Sequence, residues 1–299
     1  MSEPLVVTVI PNWNLRDDLA ACLESLRRAR YSRHQIVVVD NASTDDSVAL
    51  VRARFPEAHV IARAENGGYA AALNDGIEHA RALGAAYVFA LNNDTIVDPD
   101  ALATLVREME ANPDIGIAAP RVLLFADPSR LYRAGDRMYR WLPLPLSFGV
   151  RRHDGARYHR TIEFDYVSGC AMLIRAALFD IIGLFDESWF MYYEDSDFCR
   201  RARDRGFRIT YVGRAVVYHK VSLSTSKEPA AIRRIRARNR VRFYRRHPHG
   251  PHPWLTYVAI AVIAAWRIAH DLLRGQHDQI RPYVEGLWQG WREAPSGPA

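Results

Sequence analysis

Cysteine is scarce in this sequence: Cys22, Cys170 and Cys199 are the three, widely separated along 299 residues. Their spacing provides neither a disulfide framework nor a metal-ligand set, which predicts a protein of a reducing cytosol. Met1 to Val7 carry neither a basic leader nor a long apolar region, so no secretory signal is expected. No Gly-x-Gly-x-x-Gly and no Gly-Lys-Ser/Thr occurs, which argues against a dinucleotide enzyme and a P-loop ATPase. Internal repeats and low-complexity tracts are missing too. The uncharged run Trp254 to Trp266 has thirteen residues, short of the roughly 20 that a membrane-spanning helix needs.

What is present describes a globular chain, since 49% of the residues are hydrophobic and 25% charged. The net charge of +6 is unevenly spread. Arg233, Arg234, Arg236, Arg238, Arg240, Arg242, Arg245 and Arg246 fall in one segment, which points to an anionic partner such as phosphates or a lipid surface.

From Leu5 to Ala119, strand and helix patterns alternate without a hairpin signal, predicting a Rossmann-like, mostly parallel α/β sheet. Leu5 to Ile10, Ile36 to Val39, Val60 to Ala62, Tyr87 to Leu91 and Ile115 to Ala119 read as strands. Tyr87 to Leu91 is apolar throughout, as a strand buried on both faces would be. Ser43 or Thr44 is placed to cap the second helix, and Asp98-Pro99 to start the fourth. Pro120 to Asp165 reads as an irregular connection. Val167 to Ile174 is a strand, a helix runs through Phe198, Cys199 and Ala202, and Arg208 to Val212 and Val216 to His219 are two further short strands. Pro229 to Arg246 is an Arg-dense helix. The stripe Ile280, Tyr283, Val284, Leu287, Trp288 and Trp291 completes a tail that either lies in an anionic membrane interface or packs on the core. The domain division expected is 1–119 and 120–228 as two halves of one domain, and 229–299 as a basic, amphipathic helical region.

In a parallel sheet the carboxyl ends of the strands share one edge, where ligands bind. Four such ends are polar: Pro11 to Asn14, Asp40 with Asn41, Asn66 with Gly67 and Gly68, and Asn92, Asn93 and Asp94. Each alone reads as a turn or helix cap; together they describe a pocket. Glu194, Asp195 and Asp197 crowd enough acid to raise at least one carboxyl pKa, although helix-dipole stabilisation of a first turn accounts for acids there as well. Trp189, Phe190, Tyr192 and Tyr193 just before them suit either sugar stacking or a core.

The series Val38-Val39-Asp40-Asn41-Ala42-Ser43-Thr44-Asp45, Asn66-Gly67-Gly68-Tyr69-Ala70-Ala71-Ala72-Leu73-Asn74, Leu91-Asn92-Asn93-Asp94-Thr95, Ser168-Gly169-Cys170-Ala171-Met172-Leu173-Ile174 and Glu194-Asp195-Ser196-Asp197 resembles, in order, the motifs of glycosyltransferase family 2, nearest its rhamnosyltransferase-like bacterial branch. The resemblance extends from Leu5 to about Pro248, and it implies that 1–119 is the nucleotide-sugar-binding half and 120–228 the acceptor-binding and catalytic half. It implies a GT-A fold, a nucleotide-diphosphate sugar donor, a divalent cation (Mg²⁺ or Mn²⁺) and inversion at the anomeric carbon. By the same resemblance Asp40 holds the nucleobase, Asn66 and Asn74 lie near the donor, and Asp94, Asn92 and His219 form the metal site. Asn92 stands where the family's first Asp is usual, which leaves that site one carboxylate.

Asp195 is then the general base, and Pro11, Asn12, Gly67, Asn93, Trp189 and Glu194 line the substrate site. Arg238 and Arg240 are expected at the donor diphosphate. The implied reaction moves a sugar, dTDP-rhamnose first and a UDP-sugar next, to a lipid-linked or polysaccharide acceptor in cell-surface glycan synthesis. The expected location is cytoplasmic, peripheral at the inner membrane face. A sugar nucleotidyltransferase is the enzymatic alternative, though Pro11 to Asn14 lacks that class's Gly-rich basic loop. A basic nucleic-acid-binding protein is the non-enzymatic one, and it leaves the strand tips unexplained; no nucleic-acid partner is expected.

Overall fold

Apolar runs that stop at polar tips become the strands of one sheet. The computed structural model describes residues 3–139, 145–221, 229–248, 250, 252 and 254–293. In chain order its elements begin β1 (Val6–Asn12), α1 (Arg16–Arg27), β2 (His34–Asp40), α2 (Ser47–Arg54), β3 (Ala58–Ala62), α3 (Tyr69–Ala82), β4 (Tyr87–Leu91), β5 (Thr95–Val97) and α4 (Ala101–Ala111). They continue with β6 (Ile115–Leu124), β7 (Asp127–Arg133), β8 (Gly135–Met138), β9 (Pro145–Phe148), β10 (Thr161–Phe164), β11 (Ala171–Arg175), α5 (Ala177–Ile182), α6 (Glu194–Asp204) and β12 (Arg208–His219). The last three are α7 (Pro229–Arg246), α8 (Trp254–Leu273) and α9 (Ile280–Arg292).

The main sheet runs β10-β12-β6-β11-β4-β1-β2-β3, with β5 paired to β12 and β7 to β6. Strands β4, β1, β2 and β3 are parallel, so their carboxyl ends share one edge. Strand β11 enters antiparallel between β4 and β6, and β12 runs parallel to β6. The mostly parallel α/β reading therefore holds for β1 to β4, with β11 entering antiparallel beside β4 and with β5, β7 and β10 pairing antiparallel further along the sheet. Every residue of β4 is buried, as its uninterrupted apolar run predicts.

Four local expectations are corrected. The described residues of 120–165 are not an irregular connection: β6 continues to Leu124, and β7 to β10 follow. Their alternation was hidden because β7 is charged, partly exposed and joined to β6 through register shifts. The two short strands near the end of the sheet are one strand, β12, with register shifts between Arg208 and Ile209 and between Val212 and Val216. Helix α4 starts at Ala101 after Asp100, beyond Asp98-Pro99; Asp98 instead accepts from the Asp100 N–H at 3.0 Å in an Asx turn. Helix α2 starts at Ser47, where Asp45 takes the Ser47 N–H at 3.1 Å, because Ser43 is engaged by Asp40.

The chain divides into two compact units. The first, Met1–Asp136, Ser147–Phe190 and Glu194–Ser224, contains the main sheet. The second comprises Arg137–Leu146, Met191–Tyr193 and Thr225–Ala299. In the second unit α9 lies against α7 through Gly286 and Gly290, where an added Cβ would come within 2.2 Å of the Arg234 carbonyl and 2.4 Å of that of Arg238. Backbone contact this close admits only glycine, so the face that packs is Tyr283, Gly286 and Gly290, not the whole predicted stripe.

Val284, Trp288 and Trp291 stay exposed, as do Trp254, Val258, Val262 and Trp266 at every fourth residue of α8. Helix α8 is also longer than the thirteen-residue run suggested: it has twenty residues and is long and apolar enough, by length and composition, to cross a membrane. Its last turns carry Arg267 and Asp271, and these are tied to neighbouring helices: Arg233 pairs with Asp271, and the Arg267 guanidinium lies 5.8 Å from the Tyr283 ring centre.

Candidate active site

Register brings the first tips together. Parallel pairing sets Asn12 beside Asp40 and Pro11 beside Val39. Asn12 donates to Asp40 Oδ1 at 2.9 Å and accepts from Asn93 Nδ2 at 2.7 Å, so one amide joins three strand ends. The Ser43 hydroxyl and N–H fix the two Asp40 oxygens at 2.6 and 3.0 Å. A buried carboxylate oriented by three donors retains lone pairs for the N–H of a base.

Asn41 extends the network to the third tip. Its amide donates to Asn66 Oδ1 and the Gly68 carbonyl, both at 2.9 Å, and accepts from the Gly67 N–H at 3.1 Å. Gly68 has φ +90°, and a Cβ there would stand 2.4 Å from the Phe190 carbonyl, so glycine is required. At Gly67 the crowding atom is the mobile end of Arg63. Asn74 departs from its expected place at the donor: its amide is consumed by the Phe185 carbonyl (2.8 Å), Glu187 Oε1 (2.9 Å) and the Phe185 N–H (3.0 Å). It holds the loop that leads to α6.

The fourth tip meets the far end of the sheet. Strand β5 pairs with the end of β12 so that Thr95 lies opposite His219. His219 Nε2 thereby comes to 3.1 Å from Asp94 Oδ1, with both side chains buried. Burial opposes a charged imidazole, but Cys170 and Asp94 beside it prevail and its pKa is pushed up to about 10. Lys220 donates its backbone N–H to the Asp94 carbonyl at 3.0 Å and pairs its ammonium with Asp18. Asn92 is half-buried, and its backbone carbonyl accepts from Thr95 Oγ1 at 2.7 Å.

No group of three or more His, Cys, Asp or Glu able to hold a metal occurs among the described residues. Asp94 and the Asn92 amide still suit a hard divalent cation, which takes oxygen ligands and commonly needs only one or two carboxylates beside substrate phosphates and water. His219 Nδ1 is buried without a protein partner. Such an atom is satisfied when a further group enters the site.

Asp195 is half-buried at the start of α6. Its Oδ2 accepts from the Gly169 N–H at 2.9 Å and its Oδ1 from the Ser196 N–H at 2.6 Å. A Cβ on Gly169 would stand 3.0 Å from that of Asp195, so the Ser168-Gly169-Cys170 turn supports the acid at close quarters. The perturbed carboxyl of the cluster is Glu194: burial, then the charges of Asp195 and Asp197, push it up to about 8. Its Oε2 is buried without a hydrogen bond. Asp197 is structural, buried and paired with Arg201 at 2.8 Å.

Trp189 is fully buried, which leaves no indole face open for the stacking expected of it; its size made it core. Arg238 and Arg240 belong to the second unit, where Arg238 donates to Asn239 Oδ1 at 3.0 Å and Arg240 to the Tyr193 hydroxyl at 3.4 Å. In that unit the buried Asn239 amide also donates to the carbonyls of Met191 (2.9 Å) and Tyr192 (2.8 Å).

Tyr69 was missed as a site residue although it lies inside a quoted motif. Its hydroxyl donates to the Gly169 carbonyl at 3.1 Å. Its pKa stands well above the usual value, because of burial first and then the charges of Glu194, Cys170, Asp195 and Asp94. The Gly169-Cys170 turn is held from both sides, because Gly169 gives its N–H to Asp195 and the Cys170 carbonyl accepts from the Asn92 N–H at 2.9 Å. A tyrosine at the first position of α3, right after two glycines, was the available signal.

An open, mostly parallel sheet with donors and carboxylates on one edge and an antiparallel strand beside them is a GT-A type of α/β fold. The glycosyl transferase family 2 model matches residues 7–181, more than half the chain, and the protein belongs to that family. It is a glycosyltransferase and is rhamnosyltransferase-like. Over 249 residues it is 28% identical to the N-acetylglucosaminyl-diphospho-decaprenol L-rhamnosyltransferase of Mycobacterium tuberculosis, covering 76% of this chain and 78% of that protein. It is 32% identical over 139 residues to the uncharacterized protein y4gI of Sinorhizobium fredii, 45% of this chain but 14% of that longer protein. In fold it is similar to the mannosyltransferase PcManGT from Pyrobaculum calidifontis, solved with GDP-Man and Mn²⁺, with TM-score 0.62, 18% identity and coverage of 97% and 88% of the two chains.

Proposed function

We propose that the protein transfers a hexose, with inversion, from a nucleotide diphosphate to a lipid-linked or polysaccharide acceptor used in cell-surface glycans. The observation that carries this reading is the Gly169-Cys170 turn, which gives a backbone N–H to Asp195 and takes one from Asn92, two residues before the Asp94 that meets His219. Asp40 accepts the imide N–H of a thymine or uracil. dTDP-rhamnose is the preferred donor, on the similarity to the mycobacterial enzyme, and a UDP-sugar is second.

Asp195 takes the proton of the acceptor hydroxyl while that oxygen bonds to the anomeric carbon. The bond from that carbon to the phosphate oxygen breaks, and the nucleoside diphosphate leaves with its electron pair. Asp94 and the Asn92 amide would hold a divalent cation, whose charge would supply neutralisation at the leaving diphosphate. The hydrogen bonds from Gly169 and Ser196 orient the base, and His219 holds Asp94 in place. The enzyme works at the cytoplasmic face of the membrane, where the exposed Trp and Val side chains of α8 and α9 meet an anionic lipid surface.

A thermal-shift screen with dTDP, UDP and GDP, each with and without Mn²⁺, tests the donor reading, because binding stabilises the folded state. A Mn²⁺-dependent rise with dTDP above the others is expected. No shift with any nucleotide overturns the reading. Asp195→Asn should keep the nucleotide shift and lose transfer by about 10²–10⁴-fold.

A further inference from the structure

Among the described residues of the second unit, several guanidinium groups, partly buried or exposed, gather around Tyr283 and Tyr192. Arg233, Arg236 and Arg240 lie at i, i+3 and i+7 of α7, on one face of that helix. Tyr283 of α9 lies 5.6 Å from the Arg233 guanidinium and 5.8 Å from that of Arg267 on α8, measured to the ring centre. Arg240 interacts electrostatically with the same tyrosine, and Arg236 covers Tyr192 at 4.1 Å. Among the described residues, the carboxylate paired with this group is Asp271, which is buried and meets Arg233. Arg267 carries the consequence: burial first, then the Arg233 and Arg240 charges, lower its pKa from the ordinary arginine value.

Polar atoms in the same region also lack partners. The Tyr283 hydroxyl is buried without one in a side chain that is 3% exposed, and the Tyr192 hydroxyl and Arg233 Nε are likewise buried and unsatisfied. Unpaired buried donors beside gathered guanidinia are costly unless an anion completes them. Guanidinium forks and phenol hydroxyls suit phosphate oxygens. The position also suggests what the phosphate is attached to: Arg267 directly follows Trp266, the last residue of the exposed apolar stripe Trp254, Val258, Val262, Trp266.

We propose that Arg233, Arg240, Arg267 and the Tyr283 hydroxyl form an anion site within the C-terminal helices that binds the phosphate or diphosphate of a prenyl-type lipid, whose chain lies along the α8 stripe. This deepens the reading of a lipid-linked acceptor and rests on it. The site would hold the acceptor by the group that joins its glycan to its lipid.

The test is sedimentation of the full chain with phosphatidylcholine vesicles doped with geranylgeranyl diphosphate, compared with phosphatidylserine-doped vesicles of equal surface charge. Binding should be about tenfold tighter to the diphosphate vesicles, the worth of one or two charge-assisted hydrogen bonds. Arg267→Gln and Tyr283→Phe should each reduce it toward the phosphatidylserine level. Equal binding to both vesicle types, or no effect of either substitution, overturns the site. Inorganic pyrophosphate is added as competitor in the Asp94→Asn background, which removes the donor site's response. Competition at concentrations comparable to the lipid supports the site with a free phosphate as ligand, whereas competition only at large excess supports it with the lipid.

Arg267→Gln should leave the melting temperature of the unliganded chain unchanged or higher, since it relieves repulsion; a drop assigns Arg267 a structural role and overturns the proposal. The nucleotide thermal shift is measured on the same samples. Its loss in the unsubstituted chain would count against the transferase reading, while selective vesicle binding would still stand for the anion site.

Discussion

Asp94 Oδ1 and His219 Nε2 stand 3.1 Å apart with both side chains buried, although 125 residues separate them in the chain. Neither charge is comfortable there without the other. His219→Phe is expected to destabilise the fold by about 3–5 kcal/mol, the cost of stranding a buried carboxylate. Adding Asp94→Asn should recover part of that loss. Denaturant unfolding of the two single variants and the double variant measures the coupling, and strict additivity would show that the pair does not act as a unit.

Gly169→Ala probes the support of Asp195. The new methyl group would sit 3.0 Å from the Asp195 Cβ and 3.3 Å from its Oδ2, so the carboxylate must shift. Small displacements of a reacting group are costly, and kcat should fall about 10–100-fold with donor KM little changed. Steady-state kinetics separates the two; a rise in donor KM alone would place Gly169 at the nucleotide instead.

Glu194 determines a pH dependence of stability. Its folded pKa, about 8, lies above the ordinary 4.5, so between those values the folded state binds more protons than the unfolded one. Its contribution is therefore most favourable below pH 4.5 and is lost as pH rises toward 8. Glu194→Gln should gain on the unsubstituted protein across that window, by an amount on the order of a few kcal/mol at the upper end. Melting curves from pH 5 to 8.5 give the answer, and a constant difference would remove Glu194 as the titrating group.

Gly286→Ala tests the contact between α7 and α9. A Cβ placed 2.2 Å from the Arg234 carbonyl meets backbone, which cannot yield as a side chain can. A loss of about 1–3 kcal/mol or more is expected, by analogy with overpacked cores. Circular dichroism melts should show it, whereas Gly275→Ala, at an open position with φ +67°, should show only local strain.

Much of the first unit was legible because hydrophobic period and strand tips are local properties. Alternating strand and helix, the wholly apolar β4 and the polar ends at Asp40 and Asp94 needed no tertiary information. The charged hairpin region at 120–165 was not legible, because a half-exposed strand with bulges loses its period. The motifs put Asn74 near the donor and Trp189 in the substrate site, yet hydrogen bonding to Phe185 and Glu187 and complete burial give them other work.

Returning to sequence alone, residues within a few positions of one another determined the α/β class, the strand-tip edge and the family's motif order. Only the tertiary structure decided which of those residues meet. The pairing of β5 with β12 carries His219 to Asp94, and the Gly169 turn carries a backbone N–H to Asp195. On α9 only packing could divide one apolar stripe into a glycine face against α7 and a tryptophan face left open. The physical reason is the same in each case: side-chain chemistry is written locally, while the partner that gives it a charge state, a hydrogen bond or a buried surface is supplied by register and close packing across distant parts of the chain.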